Sequence, residues 1–454
     1  MLKIIINQVN NRSMKISEMT SASALTGAEL IEIVQDGVSR KCSVSEILSA
    51  APDANGIYPD VPLNRVTLKR FSGQTSTTPV ICDNVGMIDA IAATAYPVLL
   101  DRNSKIAAYL NGDNIRKTAD GLPAILNDWT LQVMTAIGGI YYKYYYVAST
   151  NEKIYHFSTK KIRGYKYIRK RFLNCFGGTV ETQDGKSVLL SNADKWTTQN
   201  YNLTQYHSFA KNLGDNYREI ATQDREVYRM YFWLMEKTFN SQNVFAGISD
   251  ANSSWWAAFS QAANGGQSSY AQFHKTGITL DITGHKGETG VTVNNGTSDY
   301  TCKPCKWLWR ENMLSGPYWI WETGYLKKDG IWYRCKDLSK IAFTITSDYE
   351  ELCSDCGDGA DGGYILENFQ DTLIPQLLNG SSTTGMADRY WRQASPGAGT
   401  VYIPAGVGTA TYGSTLGVSV LYLTYVASTS SAAFGGALAS DDPTDTVADG
   451  TIVV

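Results

Sequence analysis

The sequence predicts an α+β protein, with small β-rich modules at the N-terminal end followed by a larger domain of two helices and late β-strands. Three observations carry that expectation. Residues 222–239 hold apolar side chains at helical spacing, and 203–213 form a shorter stretch of the same kind. Runs of β-branched and aromatic residues, separated by Gly, Asp and Asn turns, recur between 63 and 172. Two more such runs, 400–403 and 418–426, follow a long loop-rich region. A chain of 454 residues with 43% hydrophobic content has material for two to four packed domains.

In chain order, residues 1–50 read as a self-contained module. Leu30, Ile31 and Ile33 with the Asp36-Gly37 turn predict a short hairpin, and Ser43 is placed to cap a final short helix. So small a module has too little core to stand alone and is expected to fold against copies of itself or a partner. Residues 51–62, rich in Pro, Gly, Asp and Asn, read as a linker that opens a β-rich spacer over 51–136. In the spacer, Val66-Thr67-Leu68, Val80-Ile81-Cys82 and Pro97-Val98-Leu99-Leu100 are strand-like, with turns at Gly112-Asp113-Asn114 and Asp120-Gly121.

The third unit spans 137–440. Residues 139–147 and 153–158 predict an aromatic hairpin, and 164–172 continue it. A helix over 203–213 places Tyr206, Phe209 and Leu213 on one face and stops at Gly214. The principal helix starts at Thr222 as N-cap, with Asp224 and Glu226 favoured by the helix dipole, and buries Val227, Met230, Tyr231, Leu234 and Met235. Asn264-Gly265-Gly266 and 284–296 read as loops, and 441–454 as an acidic tail of small residues.

Net charge is −3, which gives no pull toward nucleic acid. No apolar run is long enough to predict membrane insertion, and residues 1–10 do not read as a signal peptide, so the chain is expected in a cytosol or released from it by lysis. Eight unevenly spaced Cys do not form a secreted disulfide framework. Eleven Trp and 28 Tyr supply aromatics both for sheet-rich cores and for recognition surfaces.

Residues 216–228, running from Asn216-Tyr217-Arg218 through Ala221-Thr222 to Arg225-Glu226-Val227-Tyr228, resemble the helix-entry signature of the C-type-lectin-like fold. That fold is shared by formylglycine-generating enzymes and the variable proteins of diversity-generating retroelements. Three later segments match in the same order: Cys305-Lys306-Trp307-Leu308-Trp309 with Trp319-Ile320-Trp321-Glu322, then Arg389-Tyr390-Trp391-Arg392-Gln393, then Phe434-Gly435-Gly436-Ala437-Leu438. The pattern of residues 1–50 resembles the N-terminal segment of bacteriophage head and tail fibre proteins. The block 139–172 resembles the opening of lectin-fold domains in fibres of phages of gut Bacteroidales-type hosts, crAss-like phages included. These resemblances imply a virion protein that is attached through residues 1–50 to other virion proteins and assembled as a homotrimer.

The retroelement proteins imply a ligand surface between the Arg-Trp strand and the closing Gly-Gly strand. Here that interval offers Tyr390, Trp391, Arg392, Tyr402 and Tyr412, with Tyr422 and Tyr425, among small residues, a composition like that of antibody paratopes. Strand core accounts equally well for Tyr422 and Tyr425. Enzyme activity of the formylglycine-generating kind depends on a late Cys pair, and no Cys follows Cys356, so no catalytic residue is assigned. His156, His207, His274 and His285 are scattered and read as structural or surface residues.

No cofactor is expected, with two metal possibilities weighed. Asp355, Asp358 and Asp361 in a glycine-rich run suit Ca²⁺, although EF-hand spacing is absent and a solvated acidic turn is the simpler expectation. Cys302, Cys305, Cys353 and Cys356 form two C-x-x-C pairs suited to structural Zn²⁺, but the 47 residues between the pairs exceed ribbon spacing, and reduced, partly buried thiols are the simpler expectation. The basic run Lys160 to Arg171, interleaved with Tyr165, Tyr167 and Phe172, fits single-stranded nucleic acid or, more simply, a strand with charges out and rings in. The expected function is multivalent binding of a host cell-surface glycan or protein by a non-enzymatic phage fibre, with a purely architectural capsid or tail decoration protein as the alternative.

Overall fold

A computed structural model describes residues 4–7, 13–14, 30–35, 38–43, 50–71, 74–75, 77–78, 80–245, 275–294, 299–314, 316, 318–354, 362–392, 397–408 and 415–454. Strand accounts for 37% of the structure and helix for 13%, in a curled half-barrel of several sheets. The α+β expectation with a lectin-like two-helix layout is therefore corrected: the protein is largely β. Stretches read as loops are part of the reason, since 284–296 contains the strands Lys286–Glu288 and Val291–Asn294.

Among the described residues three α-helices occur: α1 (Val85–Ala92), α2 (Leu203–Leu213) and α3 (Thr222–Glu236). Helix α1 lies where only strands were expected. Asn84 starts it by accepting the Met87 amide at 3.1 Å, and Met87, Ile88 and Ile91 face the core. Helix α2 has the predicted bounds because its signals are local. Asn202 Oδ1 accepts the Gln205 amide and Gln205 Oε1 accepts the Asn202 amide, a reciprocal cap.

Helix α3 starts one residue before the expected position. Ala221 is the N-cap and its amide donates to Asp224 Oδ2 at 2.8 Å, while the Thr222 hydroxyl reaches Glu322 Oε2 at 3.0 Å instead of capping. The helix is not amphipathic in the ordinary sense, since Asp224, Arg225, Glu226 and Arg229 are buried together with Val227, Met230 and Leu234.

The sheets enclose α3. One six-stranded antiparallel sheet runs Tyr217–Glu219, Leu438–Asp441, Arg171–Asn174, Gln132–Ile137, Tyr96–Leu100, Ile106–Tyr109. A second contains the predicted aromatic hairpin, Ile140–Val147 against Glu152–Ser158, flanked by Lys166–Ile168 and by Val66–Phe71. Each of these sheets joins strands from before residue 137 with strands from after it. The acidic tail also joins the body: the Val453 amide donates to Tyr165 O and the Gly450 amide to Tyr167 O.

The largest sheet carries Ile331–Cys335, Tyr325–Lys328, Val401–Gly406, Leu421–Tyr425 and Arg389–Arg392 in that order. Rings from several elements close on α3: Tyr155 and Phe239 on Trp233, and Trp307 on Tyr228 and Phe232. In the N-terminal module Leu30–Gln35 pairs antiparallel with Val38–Ser43, in the register the hairpin reading requires. The helix expected after Ser43 lies outside the described residues.

Candidate functional site

Two arrangements could touch a ligand: the aromatic strands expected from sequence, and a polar cleft beside α3. On the strands, Arg389–Arg392 pairs parallel with Leu421–Tyr425, so Trp391 lies opposite Tyr422. Trp319 bridges them, with centroids 5.4 Å from Trp391 and 4.6 Å from Tyr422. Tyr425 continues the row at 5.9 Å from Tyr422 and 5.3 Å from Phe434. Trp319 and Phe434 are buried, whereas Trp391, Tyr422 and Tyr425 are half-buried. The result is an aromatic ladder with a closed back and a partly open front, and Arg389 packs over the Trp391 ring at 5.3 Å.

The other expected ligand residues are placed differently. Tyr390 is fully buried, because alternation along the strand turns it away from Trp391 into the core. Arg392 is half-buried opposite Leu423. Tyr402 is half-buried and packs against the core containing α3, while its neighbour Ile403 packs with the ladder's core, so Tyr402 does not join Trp391. Its hydroxyl accepts the Gly397 amide at 3.1 Å. Tyr412, Asp355, Asp358, Asp361 and Cys356 lie outside the described residues, as do His274 and the side chain of Cys302.

The cleft occupies about 490 Å³ between α3, the strand Ile331–Cys335 and the C-terminal segment 441–450. Its inner wall is Glu226. Tyr325 Oη and the Leu373 amide both donate to Glu226 Oε1 at 2.8 Å. Burial pushes this carboxyl up to about 7, against the opposing pull of Arg229 and the Tyr325 hydrogen bond. Arg334 donates from Nε and Nη2 to Glu350 Oε1 at 2.9 and 2.6 Å, and Arg171 Nη2 donates to Asp449 at 2.6 Å. Burial raises the Tyr142 hydroxyl well above its ordinary value, helped by Asp371.

Arg171 belongs to the basic run in which charges were expected to face solvent. It is instead 1% exposed, held by Asp224 and Asp449, while Tyr165 and Phe172 are buried as expected. The signal for this cleft was present as the charges Asp224, Arg225, Glu226 and Arg229 interleaved with the apolar stripe of α3. Periodicity alone did not identify what those charges face.

His156 is buried, with Nδ1 3.0 Å from Tyr165 Oη and Nε2 3.0 Å from Tyr145 Oη; burial and then Arg65 push it down to about 4, so it is neutral near pH 7. His207 and His285 pack edge-on against Phe343 and Trp309. Cys305 is a buried free thiol that burial pushes up to about 12, and Cys353 is half-buried. Among the described residues no cluster of three or more His, Cys, Asp or Glu has a metal-holding arrangement, and no helix is long and apolar enough to cross a membrane. No protein-family model matches the chain, and no curated protein matches it.

Proposed function

We propose that this chain is a non-enzymatic bacteriophage fibre protein, located in the virion, that recognises a host cell-surface glycan or protein. Residues 1–50 attach it to other virion proteins, and homotrimeric assembly multiplies weak contacts into avidity. The observation that carries the reading is the ladder Trp391–Tyr422–Tyr425. Large rings held half-open by a buried aromatic layer make a rigid contact surface at low entropic cost.

The test is saturable binding of the labelled full chain to intact Bacteroidales-type cells, with and without EDTA. Saturable binding that survives EDTA and drops at least tenfold in Trp391→Ala/Tyr422→Ala is expected. Absence of binding by the assembled oligomer on every strain tried sinks the reading. An architectural decoration protein is the second reading, favoured by the exposed apolar residues Tyr109, at the end of the strand Ile106–Tyr109, and Leu122 and Ile125 in the segment that follows it, a surface suited to a neighbouring protein.

A further inference from the structure

We infer that the cleft between α3, the strand Ile331–Cys335 and segment 441–450 is a binding site for one neutral saccharide unit. This goes beyond the recognition reading, because the cleft shares no residue with the aromatic ladder and its occupancy does not require that the chain bind cells.

Size comes first. About 490 Å³ lies within the roughly 300–1,000 Å³ of small-ligand sites. Charge comes next. Five basic and six acidic side chains line the cleft, yet the strongest of them are already joined, Arg334 to Glu350 and Arg171 to Asp449. Of the charges outside these pairs, Lys166, Lys336 and Asp337 are exposed, where water screens a contact, while Asp371 is hydrogen-bonded with Tyr142. An ionic ligand that took either partner of a pair would leave the other uncompensated. A neutral polyol would not, since each hydroxyl both donates and accepts, and ion pairs present fixed donor and acceptor edges side by side.

The remaining lining fits the same ligand. Ile168, Val227, Met230 and Leu338 give an apolar surface for the C–H face of a sugar ring, beside Tyr142. Glu226 is 8% exposed and both its hydrogen bonds end on Oε1; among the described residues no donor reaches Oε2, which is left for a ligand hydroxyl. Burial pushes this carboxyl up to about 7, so near that pH Oε2 is part carboxylate and part hydroxyl; a ligand hydroxyl can meet either form, whereas a cation meets only one.

Saturation-transfer NMR on the full chain tests the assignment, using methyl glycosides of glucose, galactose, mannose and N-acetylglucosamine, with methylammonium and acetate as ionic probes. At least one glycoside should bind. Leu338→Trp, which fills the mouth, and Glu226→Leu, which removes Oε2 and with it the polar group of that wall, should each weaken it at least tenfold. Circular dichroism identifies a variant that has failed to fold, and the other then decides. The inference is overturned if no glycoside binds, if a folded variant binds as tightly as the parent chain, or if methylammonium or acetate binds more tightly than every glycoside.

Discussion

Arg218 grips Asp224 with both terminal nitrogens: Nη2 donates to Oδ1 at 2.9 Å, and Nη1 donates to Oδ2. Both side chains are buried, and Arg171 adds a third bond to Oδ1 at 3.1 Å. The strand Tyr217–Glu219, the strand Arg171–Asn174 and the start of α3 are thereby fixed to one carboxylate.

Replacing that carboxylate leaves two guanidiniums short of their shared counter-charge. Asp224→Asn is expected to destabilise the fold by about 3–5 kcal/mol, the usual cost of breaking a buried ion pair. Urea unfolding followed by tryptophan fluorescence reads it, and a loss below about 1 kcal/mol would mean that the cluster is solvated in solution.

The buried carboxyls also set the pH dependence. Burial would raise Asp224, but Arg218 and Arg171 overcome it and hold the group below its ordinary 3.8. Its stabilisation is present above that value and lost as pH falls below it. Glu226 and Asp388 run the other way, burial pushing each up to about 7. Between the ordinary carboxylate range and pH 7 the folded chain keeps protons that the unfolded chain has released, so these groups make stability fall as pH rises through that window. A maximum near pH 4–5 is expected from these groups. In Glu226→Gln the decline toward pH 8 should shrink by roughly 2–3 kcal/mol; an unchanged slope would place Glu226 outside the titration.

The closing glycines are fixed by packing. A Cβ on Gly436 would lie 2.5 Å from a ring carbon of Tyr206 on α2, whose ring is itself fully buried. Gly436→Ala should cost about 1–3 kcal/mol. A melting temperature equal to that of the parent chain would show that Tyr206 has room to move.

The ladder separates into a buried back, Trp319 and Phe434, and a half-buried front, Trp391, Tyr422 and Tyr425. Trp319→Ala should cost about 3–5 kcal/mol, because it empties a buried ring site. Trp391→Ala removes a half-buried ring and should cost less than half as much in stability while reducing cell binding. Equal stability losses in the two variants would make Trp391 a core residue.

Several elements were legible in sequence because their causes lie within a few residues. The cap of α2 joins Asn202 to Gln205, and the hairpins Leu30–Gln35/Val38–Ser43 and Ile140–Val147/Glu152–Ser158 follow from alternation and short turns. The choice of Ala221 over Thr222 as cap was not legible. It depends on Thr222 finding Glu322, 100 positions away.

The sequence by itself determined where α2, the two hairpins and the buried apolar stripe of α3 form, since propensity and periodicity act over one or two turns. Only the tertiary structure decided that the protein is largely β, that Tyr390 turns inward while Trp391 stays half-open, and that Arg171 is buried. The physical reason is separation along the chain. Arg171 meets Asp449 across 278 positions, and Glu226 meets Tyr325 across 99 and the Leu373 amide across 147. The burial that gives such pairs their strength comes from packing the sheets around α3.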